Sequence, residues 1–325
     1  MKRVTLSTLA SACLSLFVFY SSTVHAYPNR PIHIVVAYAP GGGTDIAARL
    51  LAEHLSSTLK QPVVIDNRPG ASGMVGATYV SRAAADGYTL FVATQTTQAV
   101  DPAVYAKTIK YNAAKDFTAI SEIADTPMML VVKSDFTPKS VAELISYARS
   151  RAGELNYATV GNGSTPHMAG ELFKSMAHID VVAVPFRGEA PGVQEVLGGR
   201  VTYMFCDIPV GTPLVQSGGL KVLGVTSANR SPVAPDLPTI AESGLPGYDM
   251  VTWFGLFGPA KLPKEITTML NRAVQEAAKS AELKTKFAKL GYALRANSPE
   301  QFEAFVMAEQ KKWADVVKEA HLQTE

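Results

Sequence analysis

Ala39-Pro40-Gly41-Gly42-Gly43-Thr44-Asp45 separates an apolar run, Ile32 to Ala37, from a segment in which Ile46, Leu50, Leu51, Leu55 and Leu59 recur at helical spacing. A β-rich run, a glycine turn and an amphipathic helix in that order form the opening of an α/β unit, whose ligands bind where the strand ends. Glycines let backbone approach a ligand closely, and the unpaired N–H groups at a helix start favour an anion. Thr44 and Asp45 are helix-capping types, so a tight turn with a capped helix explains the segment as well as a ligand loop does. Ile46 occupies the place of the third glycine in Gly41-x-Gly43-x-x-Gly, and no Gly-Lys pair follows. Dinucleotide and Walker A loops are therefore excluded.

The same alternation continues along the chain. Val63-Ile65 and Thr89-Ala93 read as further strands. A second series begins near Met128: strands at Leu130-Val132, Asn156-Val160, Val181-Val184, Tyr203-Cys206 and Val222-Thr226, helices at Val141-Arg149, Met168-Met176 and Val193-Leu197. Pro- and Gly-rich turns from Pro232 to Gly247 lead to another apolar stretch, Val251-Phe257, and then to two long amphipathic helices, Lys264-Leu290 and Pro299-Ala320. The expected fold is α/β with two parallel-type domains. Residues 27-126 plus 249-325 form domain 1 and residues 127-248 domain 2, joined by a two-strand hinge with crossings near 120-132 and 248-260.

The first 26 residues carry Lys2 and Arg3, an apolar stretch from Leu9 to Tyr20 and the small-residue site Val24-His25-Ala26, the plan of a cleaved signal peptide. Most of that stretch follows Cys13, which disfavours lipid attachment there. A mature chain from Tyr27 loses Lys2 and Arg3 and is formally neutral, with 28 basic and 28 acidic residues. Neither a nucleic acid nor an anionic membrane surface is expected as partner. Cys206 is then the sole cysteine, so no internal disulfide forms.

Domain 2 repeats the loop device at Gly161-Asn162-Gly163-Ser164-Thr165-Pro166-His167, where Ser164 or Thr165 can cap and His167 can pack or cap. Two such loops facing each other would bound an interdomain cleft. Asn67 to Gly73 is a third turn-rich loop, a connector or a ligand contact. Arg187, after the strand at Val181-Val184, is suited to pair with a carboxylate. Asp207, closing Tyr203-Cys206, is placed to receive an amine or hydroxyl, or to cap the next turn. Catalysis is not expected: Ser164 lacks the flanking glycines of a nucleophile elbow, and His33, His54, His167, His178 and His321 show no zinc spacing. Trp253, Phe254, Phe257 and Trp313 read as core or hinge packing. No metal or other cofactor is expected.

The ordered set Tyr27-Pro28-Asn29-Arg30-Pro31-Ile32, Ala39 to Asp45, Gln61-Pro62-Val63-Val64, Asn67-Arg68-Pro69-Gly70-Ala71, Asp86-Gly87-Tyr88-Thr89-Leu90, Lys115-Asp116-Phe117, Gly161-x-Gly163-Ser164-x-x-His167, Pro185-Phe186-Arg187-Gly188, Thr226-Ser227-x-x-Arg230 and Pro238-Thr239-Ile240 with Trp253 resembles the substrate-binding receptors of tripartite tricarboxylate transporters, the Bug receptors. The similarity spans nearly all of the mature chain. It implies a two-domain periplasmic binding protein fold, type II-like, clamping a small mono- or dicarboxylate, aromatic and amino acids included. The implied receptor is a monomer without enzymatic activity that closes about its hinge and delivers its ligand to membrane permease subunits. Carried onto this sequence, the ligand-binding residues are Tyr38 through Asp45, Thr94, Gln95, Asn162 to Thr165, His167, Arg187 and Asp207. Two departures stand out: Tyr38 replaces the usual Phe, and Phe186-Arg187 the usual Tyr-Lys. An extracytoplasmic sensor with the same cleft, or a hydrolase acting through Ser164, are the competing functions.

Overall fold

The computed structural model describes residues 27–38, 40–161, 163–186, 188–320 and 322; the expected signal segment 1–26, Ala39, Asn162 and Arg187 lie outside them. The first layer is built as the loop motif requires. β1 (Ile32–Val36) leads through the glycine turn into α1 (Gly43–Leu59), and β2 (Val63–Asn67) returns parallel to β1. A short turn and α2 (Met74–Ser81) then lead to β3 (Thr89–Thr94), parallel to β1 on its other side. Ile32, Ile34 and Val36 of β1 pack with Ala47, Leu51 and Leu55 of α1 in one fully apolar interface. The 3.6-residue spacing of those helix positions is what turns them to a common face.

After β3 the chain winds into a π-helical turn, Thr96–Val100, and the short α3 (Asp101–Val104). It then runs as one 17-residue strand, β4 (Phe117–Lys133), through the centre of the molecule. This is the largest difference from the sequence expectation, which had only Leu130-Val132 as strand. The first half of β4 carries buried Ser121, Glu122, Asp125 and Thr126, a pattern that does not read as a core strand. Those groups are satisfied from the far end of the chain: Asn297 Nδ2 donates to Glu122 (3.1 Å) and Arg295 Nε to Asp125 (2.7 Å).

Beyond β4 come α4 (Val141–Arg149), β5 (Asn156–Thr159), α5 (Thr165–Ala177), β6 (Val182–Pro185), α6 (Glu189–Leu197), β7 (Tyr203–Asp207), α7 (Ile208–Gln216) and β8 (Leu220–Val225). β5 is parallel to both β6 and β7. β9 (Val251–Pro259) then returns to the first layer. The sheet order is β2-β1-β3-β9-β4-β7-β5-β6, with β8 also on β4. Parallel units thus occupy the flanks, as expected, whereas β3/β9, β4/β9, β4/β7 and β4/β8 at the centre are antiparallel. β4 pairs with β9 over 117–127 and with β7 over 128–132, so one strand serves both halves.

The return crossing is tied to β4 at the same level: Met128 N–H donates to Thr226 Oγ1 (2.8 Å), Thr226 N–H to Met128 O (2.9 Å) and Met250 N–H to Thr226 O (2.8 Å). The chain closes with α8 (Lys264–Lys279), α9 (Ala281–Lys289), the two-residue β10 (Ala293–Leu294) on β4, and α10 (Pro299–Glu319). The single helix expected over 264–290 is broken at Ser280, whose backbone is extended and whose hydroxyl caps Leu283 N–H instead. α10 starts where expected, on a capping box between Ser298 and Gln301. Trp253 and Trp313 are both buried, their indole N–H groups donating to Glu309. Among the described residues no helix is long and apolar enough to cross a membrane.

Candidate functional site

Between the two halves of the sheet lies a cavity of about 500 Å³. Gly43 and Thr44 at the start of α1 line one wall, and Gly163, Ser164 and Thr165 at the start of α5 line the other. The first N–H groups of a helix have no intrahelical acceptor, so each wall presents unpaired donors and the positive end of a helix dipole. Neither helix uses the side-chain cap expected of it. α1 begins after Gly42 with no side-chain cap, and Ser164 before α5 turns its hydroxyl to Gly161 O (2.6 Å). The donors that a cap would occupy therefore stay available.

Each loop is held from behind by the third residue of its helix. Asp45 is almost completely buried and accepts from Gly41 N–H (2.9 Å), Arg49 Nε (2.8 Å) and Asn67 Nδ2 (2.8 Å). Burial alone would raise its pKa, but the hydrogen bonds from Arg49, Gly41 and Asn67 outweigh it and hold the carboxyl below its ordinary range. Asn67 also donates to Tyr38 O (3.1 Å), fixing the end of β1. In the second loop His167 Nδ1 accepts from Gly163 N–H (3.1 Å), again four residues back. Burial lowers the His167 pKa, and the neutral ring this favours is the form that can accept.

Of the residues named from the sequence, Tyr38, Gly43, Thr44, Thr94, Gly163, Ser164, Thr165 and Asp207 line the cavity. Pro40, Gly41 and Gly42 are exposed on the loop outside the lining. Asp45 and His167 act behind it, as described. Gln95 is buried and turned away, donating to Val251 O (2.9 Å) and Glu309 (3.0 Å), so it ties β9 to α10 rather than facing a ligand. Ala39, Asn162 and Arg187 lie outside the described residues. Tyr38 and Thr94 are joined through their hydroxyls (2.8 Å), the consequence of Tyr where Phe is usual. Burial pushes the Tyr38 phenol up to about 12.

Several lining residues escaped the sequence reading. Tyr292, from the far end of the chain, seats its hydroxyl so close to Gly43 that a Cβ there would lie 2.1 Å from it. Phe254, expected only as packing, also reaches the cavity wall. Most consequential are Asp101 and Glu189. Asp101 is 2% exposed and burial pushes its carboxyl up to about 8. Burial, then the charge of Asp207, pushes Glu189 to about 8 as well, and Asp207 N–H donates to Glu189 Oε2 (2.9 Å). Asp207 is itself raised by burial; it stands at the N-cap position of α7 without using its side chain as a cap. Glu189 opens α6 directly after Gly188, a third strand-to-helix junction that could have been read as the first two were. Asp101 follows a π-turn that leaves no period in the sequence. Among the described residues no cluster of His, Cys, Asp and Glu could hold a metal ion.

A family model described as "Tripartite tricarboxylate transporter family receptor" matches residues 47–322. Protein BugT of Bordetella pertussis is 34% identical over 293 residues, covering 90% of each chain. Among solved structures, R. palustris Rpa4515 with adipate is 40% identical, over 90% of this chain and 97% of that one, with a TM-score of 0.73. MatC from Rhodopseudomonas palustris with bound malate is 35% identical, over 90% of this chain and all of that one, with a TM-score of 0.70. These relatives are binding proteins and receptors rather than enzymes, with the periplasmic binding protein fold. With a family model matched over most of its length and relatives this similar, the chain belongs to the receptors of the tripartite tricarboxylate transporter family.

Proposed function

We propose that this receptor captures a small carboxylate outside the cytoplasm and delivers it to the membrane permease subunits of a tripartite tricarboxylate-type transporter. The observation that carries the reading is the meeting of two uncapped helix starts, at Gly43-Thr44 and at Ser164-Thr165, on one cavity. One carboxylate between them would accept from both helix termini. The adipate and malate held by two relatives are ligands of that class. Residues 27–126 with 249–325 form one jaw and 127–248 the other, closing about a two-strand hinge; the Met128–Thr226–Met250 hydrogen bonds, which tie the two crossings together, support that reading. The receptor is released by cleavage at Ala26 and works in the periplasm as a monomer.

The test is thermal unfolding of residues 27–325 against mono- and dicarboxylates, aromatic and amino acids included. A ligand at about 100 times its dissociation constant should stabilise by roughly 2.7 kcal/mol. No shift with any member of that panel would overturn the reading.

A further inference from the structure

α5 carries a polar row, His167, Glu171 and Lys174, at helical spacing. His167 and Glu171 are both buried. A buried carboxylate is costly unless donors meet it, and Glu171 is met: Tyr157 Oη donates to its Oε1 (2.7 Å) and Lys174 Nζ to both of its oxygens (3.0 and 3.1 Å). Ligand contact does not account for the group, because Glu171 stands outside the cavity lining. What it faces is the ring that braces the second loop. His167 Nε2 lies 3.8 Å from Glu171 Oε1, and among the described residues no other carboxylate pairs with that ring.

The two ring nitrogens have opposite tasks. Nδ1 accepts from Gly163 N–H (3.1 Å) and must carry a lone pair, so the neutral ring holds its proton on Nε2. That is the nitrogen facing Glu171. At 3.8 Å the contact is too long for a hydrogen bond, but a buried negative oxygen favours a proton on the nearer nitrogen over the farther one. The opposite tautomer would set Nδ1–H against Gly163 N–H, donor against donor, and free the loop from its brace. We propose that Glu171 is a positioning residue for ligand binding: it fixes the Nε2–H tautomer of His167 and so keeps the second loop in the form that presents its helix start to the ligand. The loop's task rests on the carboxylate reading above; the tautomer does not.

The test is nitrogen NMR on ligand-free, isotope-labelled residues 27–325 at about pH 8, above the ordinary histidine range. Long-range proton–nitrogen spectra read which ring nitrogen carries the proton, with the His167 signals assigned from their loss in His167→Gln. The parent should show the Nε2–H tautomer. Glu171→Leu, which removes the facing oxygen, should move the ring to a tautomer mixture or to Nδ1–H and speed amide exchange at Gly163 by about tenfold or more. Glu171→Gln, which keeps an acceptor oxygen beside Nε2, should restore the parent tautomer. Tyr157→Phe, which takes a donor from Glu171 but leaves the carboxylate, should also keep it, an outcome that general loosening of the helix would not give. A Glu171 that serves only stability would leave the tautomer unmoved in every variant. Nδ1–H in the parent, or unchanged tautomer and Gly163 exchange in Glu171→Leu, would overturn the proposal. Should Glu171→Leu not fold, Glu171→Met, with its more adaptable side chain, carries the same comparison. Every measurement is made without ligand, so a failure here leaves the carboxylate reading standing, and a silent carboxylate panel leaves the tautomer result intact.

Discussion

The two ligand loops share a backbone plan and differ in what holds it. In both, a strand ends in glycines, a helix starts without a side-chain cap, and the third helical residue accepts from a glycine N–H four positions earlier. In the first loop that residue is Asp45, an ionised group with three donors. In the second it is His167, a neutral ring with one such donor, stacked against Tyr157 at 6.5 Å between centroids. A negative charge behind an anion-binding loop would oppose the ligand. Arg49, 2.8 Å from Asp45, offsets it. The second loop needs no such counterion because its brace carries no charge. The same geometry is thus reached by an ion-pair network on one side and by a neutral acceptor on the other.

The sharpest way to break this comparison is to remove each brace. Asp45→Ala removes the shared acceptor of Gly41 N–H, Arg49 Nε and Asn67 Nδ2 and leaves a gap at an almost completely buried position, and should lower the unfolding free energy by about 3 kcal/mol, since three charge-assisted bonds are lost together. His167→Ala strands one N–H and leaves a gap beside Tyr157, and should cost about 2 kcal/mol. Urea unfolding of the two variants gives the order directly. If His167→Ala proves the more damaging, packing rather than loop bracing is the main role of the ring.

The unlike braces also separate the loops by pH. Because burial lowers the His167 pKa in the folded protein, the unfolded chain binds that proton more readily, with an ordinary value of 6.5. The stability due to the neutral ring is complete above pH 6.5 and is lost as pH falls toward the lowered folded value. Asp45, also lowered but from 3.8, keeps its contribution until pH falls below that range. Between pH 7 and 5 the difference in stability between the parent and His167→Ala should therefore shrink, while that between the parent and Asp45→Ala stays constant. Thermal unfolding of all three proteins across that interval measures both slopes; parallel curves would remove the distinction between the braces.

The flanks of the fold were legible because they obey local periods. Ile32 to Ala37 and Leu51, Leu55 and Leu59 state a strand and a helix by their spacing alone, and Ser140 with Glu143 marks the start of α4 at the expected residue. The centre was not legible, because Glu122 and Asp125 are buried through partners about 170 residues away, Asn297 and Arg295. No window of sequence contains such a pair. The site divides in the same way. The glycine loops announce themselves, while Tyr292 reaches Gly43 only through the folded return of the chain. Asp45, Gln95 and His167 have the right residue types for ligand contact, yet the structure spends their polar atoms on the loops and on α10.

The smallest expected effect concerns what the loops have in common. Gly41 and Gly163 adopt positive φ, +82° and +73°, and a Cβ added at either would meet nothing within 4 Å. Alanine at each position therefore bears only the conformational penalty of left-handed backbone, about 1 kcal/mol. The two substitutions should be nearly equal, in contrast to the unequal Asp45 and His167 variants. Equal loss at the glycines with unequal loss at the braces would separate a shared backbone design from a divergent support. If Gly163→Ala instead costs several times more than Gly41→Ala, the backbone of the second loop is the more tightly constrained of the two, and the likeness between the loops does not extend past their hydrogen-bond pattern.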